Sequence, residues 1–302
     1  MPHDHHEHLH SHSHAITSLN KAFILGIVLN LGFVAAEFVA GFMTNSMGLL
    51  SDAGHNLSDV ASLVLAMLAF RLAKVQSNKK YTYGYKKSTV LVSLLNAVIL
   101  LVAVGIIIAE SIDKILHPEP VAGNVIIWVA GIGVVINAFT AWLFMKDKDK
   151  DLNVKGAYLH MAADALVSVG VVISGIVIVH TGWYLIDPVI GLVIAAVIIY
   201  STWSLLHDSI RLSLDGVPVN IDRDEIETLI RSVDGVKDVH HMHIWAISTT
   251  ETALTAHIVV DTDMSRMEEI KHEVKHLLEH EDIGHATLEF ESSQVACEHG
   301  CG

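Results

Sequence analysis

Residues 51–59 read SDAGHNLSD and interrupt an otherwise apolar run, which is FVAAEFVAGF before them and VASLVLAMLAF after them. The stretch contains the ionisable side chains of Asp52, His55 and Asp59. Inside a membrane each such group costs roughly 2.5 kcal/mol or more, so it normally faces a cavity or an ion path. The stretch therefore predicts a polar site within an apolar helix.

The composition agrees with a membrane protein. The chain has 302 residues, of which 52% are hydrophobic and 17% charged, and its apolar residues concentrate before position 210. A soluble protein of this length is not usually so apolar. The formal charge of −14 argues against a nucleic-acid partner, which requires basic surfaces. Two cysteines build no disulfide framework, whereas 21 histidines exceed the 19 lysines and arginines.

Six segments are long enough to cross the bilayer. The hydrocarbon core of about 30 Å requires roughly 20 helical residues. Backbone groups left unpaired in lipid are expensive, so continuous helices are expected. The predicted spans are 17–42, 48–72, 89–112, 122–145, 155–180 and 186–210.

The loops predict the orientation. The loop between spans 2 and 3 holds six Lys and Arg residues, and the loop between spans 4 and 5 holds four. The loops on the opposite side hold Lys114 alone. Cytoplasmic loops carry the excess of positive charge, so both termini are expected in the cytoplasm.

The residues after about 214 change to an alternating, polar pattern. Helical and strand periodicities follow each other in the order α-β-β-α-β, which predicts a small two-layer α+β domain. The expected organisation is a histidine-rich disordered arm (1–15), a six-helix transmembrane domain (16–212), a cytosolic α+β domain (213–293) and a Cys/His tail (294–302).

Two matching pairs of possible metal ligands lie in spans 2 and 5. His55 and Asp59, and likewise His160 and Asp164, are four residues apart and so share a helix face. Two imidazoles and two carboxylates suit tetrahedral Zn²⁺. The alternative is that each pair makes only a buried hydrogen bond between helices.

Other polar residues in the spans have structural explanations. Asp52 either supports the ligands or belongs to the helix entry. The remaining groups are expected to form inter-helix hydrogen bonds or to lie near span ends. They are Asn30, Glu37, Asn96, Asn137 and Asp187.

Further metal-binding groups are expected outside the spans. The arm contains HDHHEHLHSHSH, an irregular tract that collects metal without building a core. In the tail domain His240, His257, Glu289 and Glu291 are candidates for a cytosolic site, with scattered surface histidine as the alternative. The last candidates are Cys297 and Cys301, since cytosolic thiols stay reduced and favour metal capture.

One motif matches an enzyme signature, but its position on the helix argues against an active site. HEVKH at 272–276 matches the zinc-peptidase pattern H-E-x-x-H. The apolar stripe of the same helix contains Val274 and Leu278, which places both histidines on the opposite, charged face. We therefore expect no enzymatic activity.

Taken together, these motifs resemble the cation diffusion facilitators, in particular their bacterial zinc, cadmium and cobalt efflux branch. The resemblance rests on TNSMGLLSDAGHNLSDVASL, YGYKKSTVLVSLLNAV, GAYLHMAADALVSVG, DPVIGLVIAAVIIYSTWSLLHDS and VHHMHIW. It implies a homodimeric metal/proton antiporter with a metallochaperone-like (ferredoxin-like) cytosolic domain. His55, Asp59, His160 and Asp164 match the family's transport site. The strand motif usually has Asp at the position of His241.

The expected function is export of divalent metal, Zn²⁺ foremost with Cd²⁺, Co²⁺ or Ni²⁺ as further substrates, across the bacterial cytoplasmic (inner) membrane. Zn²⁺ and protons compete for histidine, which favours exchange of one for the other. The alternative is a membrane-anchored metal sensor or buffer that transports nothing.

Overall fold

The computed structural model of the chain describes residues 12–44, 47–117, 123–183, 185–261 and 264–292. These residues form two compact units. The first consists of the described residues up to Arg71 together with Val92–Leu206. The second consists of Leu72–Leu91 together with the described residues from His207 onwards.

Six long helices coincide with the six apolar segments that the sequence predicts. Each has at least 23 residues, enough for a membrane crossing by length. They are α1 (His12–Thr44), α2 (Met47–Ala73), α3 (Ser88–Leu116), α4 (Gly123–Met145), α5 (Leu152–Thr181) and α6 (Ile186–Ser213).

Within the described residues, three helices are both long and apolar enough to span a membrane. The apolar stretches are Lys21–Val39 in α1, Ser88–Leu116 and Ile127–Met145 in α4. Membrane crossing by all six helices therefore stays a prediction.

The first unit is apolar on the outside as well as inside. Trp128, Val135 and Tyr200 are 77%, 67% and 86% exposed. Large exposed apolar patches are rare on soluble monomers and mark contact with a partner or with lipid. Inside the unit, one buried cluster joins four helices, with Phe23 of α1, Leu63 of α2, Phe144 of α4 and Met161 of α5.

The second unit contains a three-stranded sheet and two helices. Its elements follow the predicted order α-β-β-α-β: α7 (Arg223–Arg231), β1 (Val236–Ala246), β2 (Thr252–Val260), α8 (Met264–His280) and β3 (His285–Ser292). The strand order is β1-β2-β3, with β1 antiparallel and β3 parallel to β2. Asp222 caps α7 by accepting hydrogen bonds from the backbone of Asp224 and Glu225.

The helices cover the sheet with aliphatic side chains. Ile226 and Ile230 of α7, and Ile270 and Val274 of α8, share a buried core with Ile258 of β2. The strand register places histidines and glutamates side by side. His257 lies opposite His240 of β1 and opposite Glu289 of β3.

Candidate metal centres

The first cluster joins α2 to α5. Nε2 of His160 lies 2.5 Å from Oδ1 of Asp59 and 3.7 Å from Oδ2 of Asp164. The three ligand atoms of this group lie within 4.8 Å of one another. The side chains of His160, Asp59 and Asp164 are only 6%, 3% and 11% exposed. Nε2 is therefore the nitrogen of His160 that faces both carboxylates.

The charges of this cluster favour a cation. Two carboxylates and a neutral imidazole carry an excess of negative charge, and burying charge without a partner is expensive. A divalent cation, or a proton on the imidazole, would reduce that charge. Imidazole and carboxylate are both ordinary Zn²⁺ ligands.

His55 and Asp52 are two further residues that the sequence predicts near this cluster. The backbone of α2 carries His55 one turn before Asp59. The side chains of His55 and Asp52 lie outside the described part of the structure. Participation of His55 in the site, and the role of Asp52, therefore stay predictions.

The polar residue next to His55 connects two helices. Nδ2 of Asn56 donates a hydrogen bond of 2.6 Å to Oε2 of Glu37 on α1, and both residues are buried. Asn30 of α1 similarly donates to the Gly26 carbonyl at 2.9 Å and to Thr140 Oγ1 of α4 at 3.3 Å. The contacts of Glu37 with Asn56 and of Asn30 with Thr140 join different helices, as expected from the sequence, whereas the bond from Asn30 to Gly26 lies within α1.

A small cavity adjoins His160. It measures about 10 Å³ and is lined by Ser62, Leu63, Asn96, Gly156, Ala157 and His160. That volume corresponds to roughly one water molecule. Ser62 and Asn96 supply polar groups on its wall, so a single water could hydrogen-bond there beside the imidazole.

The second cluster lies on the sheet of the other unit. Glu291 of β3 contacts both histidines, with Oε1 paired to Nδ1 of His257 and Oε2 3.4 Å from Nε2 of His240. Ligand atoms of these three residues lie within 4.8 Å of one another. Glu289 lies 3.5 Å from Nε2 of His257 but is 70% exposed. The structure thus brings together all four residues proposed from the sequence, with Glu291 more central than Glu289.

A neighbouring carboxylate is already engaged. Asp238 lies 4.0 Å from Nδ1 of His240, but it also forms an ion pair of 2.5 Å with Arg231. A hydrogen bond from Arg231 to Glu227, supported by Asp238, raises the pKa of the Arg231 guanidinium above its ordinary value. Arg231 therefore stays a cation and competes with any metal for Asp238.

Sequence reasoning did not include His241 among the ligands. Its ring centroid lies 5.5 Å from that of His240 and 5.2 Å from that of His257. A signal was present in the spacing of the core residues Val239 and Met242. These two residues are three positions apart, which does not fit the two-residue alternation of a regular strand. The spacing therefore indicates an extra residue between them.

The remaining candidates are the HEVKH motif, the histidine-rich arm and the two tail cysteines. His272 and His276 of HEVKH are exposed on α8, whereas Val274 and Leu278 are buried, as the helical pattern predicts. Most of the histidine-rich arm, residues 1–11, and the tail residues Cys297 and Cys301 lie outside the described residues.

Comparison with known proteins identifies related chains over nearly the whole length. Residues 23–212 match the model of the cation efflux transmembrane domain, and residues 218–292 match that of the cation efflux protein cytoplasmic domain. The chain is 36% identical to the cadmium, cobalt and zinc/H(+)-K(+) antiporter of Bacillus subtilis (strain 168), over 97% of this chain and 92% of the relative.

Two further similarities concern other bacteria. The zinc transporter ZitB of Escherichia coli (strain K12) is 35% identical, over 86% of this chain and 83% of the relative. A solved metal-bound C-terminal domain of the CzcD transporter from Cuprividus metallidurans is 39% identical. The match covers 24% of this chain and 99% of that domain, with a TM-score of 0.22. The chain belongs to the cation efflux family, the cation diffusion facilitators, whose members are integral membrane transporters of metal cations.

Proposed function

We propose that this protein exports divalent metal cations, Zn²⁺ foremost, in exchange for protons. The transported cation binds between α2 and α5, to His55, Asp59, His160 and Asp164. The observation that carries this proposal is the buried group of Asp59, His160 and Asp164, whose ligand atoms lie within 4.8 Å of one another.

The ligand chemistry supports Zn²⁺. Sites built from carboxylates alone suit hard ions such as Mg²⁺, whereas imidazole shifts the preference towards Zn²⁺ and its neighbours. His55 would complete a tetrahedral set of two nitrogens and two oxygens. Cd²⁺, Co²⁺ and Ni²⁺ share this preference for imidazole and are further substrates.

The placement of the ligands supports transport rather than permanent binding. The donors come from two helices, α2 and α5, so a relative movement of these helices opens and closes the site. Sites of this kind lie near the bilayer midplane in alternating-access transporters. The Bacillus subtilis relative is named as an antiporter of cadmium, cobalt and zinc against protons and potassium.

Proton exchange follows from the histidines. Imidazole must be neutral to bind a metal, so Zn²⁺ and protons compete for the same nitrogen. Histidine ordinarily changes charge near physiological pH, so this competition is effective under cellular conditions. A site that faces the cytosol and then the outside would thereby release metal and take up protons.

The other parts of the chain place the protein in the membrane, collect the metal and join two copies of the chain. We assign residues 16–212 to six membrane spans, with both termini in the cytoplasm of a bacterial cell and the protein in its inner membrane. The arm at 1–15 and the tail at 294–302, with Cys297 and Cys301, collect metal. The domain at 213–293 joins two copies in a homodimer, in agreement with the match to the family's cytoplasmic domain.

The sheet of this domain holds a second, resident metal. His240, His257 and Glu291 are its ligands, and Glu289 borders the site. Two imidazoles and a carboxylate suit Zn²⁺. Bound there, the cation would cross-link β1, β2 and β3 and hold the edge of the sheet together.

Zinc flux in proteoliposomes tests the transport proposal. With an acidic lumen, the wild-type protein should accumulate Zn²⁺ inside, and removal of the pH gradient should abolish accumulation. Asp164→Asn should transport at the background rate of empty vesicles. Asp113→Asn is the matched control because Asp113 is exposed on α3 and pairs only with His117 among the described residues. A wild-type protein without flux would indicate a sensor or buffer instead.

A further inference from the structure

We propose that His241 is a third imidazole ligand of the cytosolic cluster, which binds one divalent cation of the Zn²⁺ or Co²⁺ type through His240, His241, His257 and Glu291. This inference rests on the proposed function of that cluster as a metal site. It adds one ligand, so that the site has three imidazole nitrogens and one carboxylate.

The three rings are spaced as they would be around one metal ion. Their centroids form a triangle with sides of 5.2, 5.4 and 5.5 Å. An imidazole nitrogen binds Zn²⁺ at 2.0–2.1 Å, so ring centroids around a tetrahedral ion are about 5.2 Å apart. The centroid spacing matches this value, but the ligand atoms that lie within 4.8 Å of one another belong to His240, His257 and Glu291, so the ring of His241 must turn to bring a nitrogen onto the same ion.

A regular strand could not make this arrangement. Successive side chains point to opposite faces of a sheet, so His241 would point away from His240. The pairing shifts between His240, opposite His257, and His243, opposite Thr255, so β1 contains one extra residue here. Such a bulge redirects a side chain, and bulges are frequent next to functional sites.

The backbone of His241 confirms where the extra residue is accommodated. Its φ is +47°, in the left-handed region that few residues other than glycine adopt. A residue held there carries strain of about 1–3 kcal/mol, which persists only where the surroundings impose it. The bulge keeps both Val239 and Met242 in the core while it turns His241 towards His257.

The free nitrogen of His241 is directed into the protein. Nε2 is buried and forms no hydrogen bond with any of the residues that the structure describes. A buried polar atom without a partner costs about 1–3 kcal/mol. A bound cation would give this nitrogen its missing partner, and the carboxylate of Glu291, which contacts both other histidines, would offset the cation's charge.

Cobalt binding to the full-length protein in detergent tests the proposal. The background carries Asp59→Asn, Asp164→Asn, Cys297→Ser and Cys301→Ser, and serine replaces the seven histidines of residues 1–14. These changes remove the transport-site carboxylates, the thiols and the metal-collecting histidines of the arm. Co²⁺ is titrated while its visible d–d absorption is recorded, because that absorption reports tetrahedral coordination. Binding is then compared in His241→Gly, His240→Ala and His243→Ala.

His241→Gly is the informative variant because glycine adopts a positive φ without strain and so preserves the bulge. We expect this variant to weaken Co²⁺ binding at least tenfold and to reduce the d–d intensity. His243→Ala, an exposed position on the same strand, should leave both unchanged. His241→Asn, which also tolerates a positive φ, should behave as His241→Gly does.

The outcomes distinguish the proposed role of His241 from the existence of the cytosolic metal site itself. Co²⁺ binding that His240→Ala abolishes and His241→Gly leaves unchanged would overturn the role of His241 and retain the cytosolic site. Binding that neither variant changes would overturn both. Reduced binding in both variants, with the His243→Ala control intact, is the result that supports His241 as a ligand.

Discussion

Nε2 of His160 lies 2.5 Å from Oδ1 of Asp59, although 101 positions separate the two residues. Two ligands on one tetrahedral Zn²⁺, each bound at about 2.0–2.2 Å, lie about 3.4 Å apart. This hydrogen bond and a metal ion are therefore alternatives at the same place, and metal entry requires the two atoms to move about 1 Å further apart. Such a contact supports the proposed exchange of metal for a proton.

The short contact makes the length of residue 59 critical. Asp59→Glu keeps the charge but adds a methylene directly opposite His160, so the carboxylate no longer fits between α2 and α5. We expect the initial rate of Zn²⁺ flux in proteoliposomes to fall at least tenfold. Asp113→Glu makes the same change at an exposed position and should retain the wild-type rate. Full activity of Asp59→Glu would contradict the close packing of this site.

The hydrogen bond between Glu37 and Asn56 should stabilise the packing of α1 against α2. Glu37→Leu leaves the buried amide of Asn56 without its acceptor, which costs about 1–3 kcal/mol. Thermal unfolding in detergent should show a lower melting temperature. Glu37→Gln retains an acceptor oxygen and should lose less. Equal melting temperatures for Glu37→Leu and wild type would show that the bond contributes nothing.

Two neighbouring lysines should differ in their contribution to the second unit. Nζ of Lys87 contacts Asp215 at 2.6 Å and the carbonyls of Leu212 and Ala246 at 2.8 and 3.0 Å. Lys87→Met removes the donor of the two part-buried carbonyls of Leu212 and Ala246, whereas Asp215 is 66% exposed and becomes hydrated. We expect the free energy of unfolding to fall by about 1 kcal/mol.

Lys86 is the matched control for this change. The two lysines are similarly exposed, at 34% and 36%, but among the described residues Nζ of Lys86 pairs with Glu251 and donates to no carbonyl. Exposed ion pairs contribute about 0–1 kcal/mol, so Lys86→Met should have little effect. Chemical denaturation of the full-length protein in detergent measures both variants. Equal losses would contradict the distinction drawn from the contacts.

The histidine-rich arm should affect metal capture more than turnover. Deletion of residues 1–14 removes seven histidines but none of the ligands assigned to the transport site. We expect a modest rise in the Zn²⁺ concentration for half-maximal flux and an unchanged maximal rate. A lower maximal rate at saturating Zn²⁺ would instead give the arm a direct part in transport.

Local patterns in the sequence predicted much of the architecture. The apolar segments anticipated six long helices, and the change to alternating residues after position 214 anticipated the α-β-β-α-β domain. The four-residue spacing of His160 and Asp164 placed them on one face of α5. These features depend on neighbours within a few residues, so periodicity and side-chain chemistry are sufficient to predict them.

The matching ligand pairs predicted that α2 and α5 meet at one site, but only the tertiary structure decided the individual contacts. The contact of His160 with Asp59, and the three acceptors around Lys87, depend on packing between segments far apart in the chain. His241 shows the same limit within a strand, since alternation predicts the wrong side for it. The three-residue spacing of Val239 and Met242 indicates an extra residue, but the position of His241 also depends on the pairing of β1 with β2, and no local pattern in VHHMHIW specifies the partner strand.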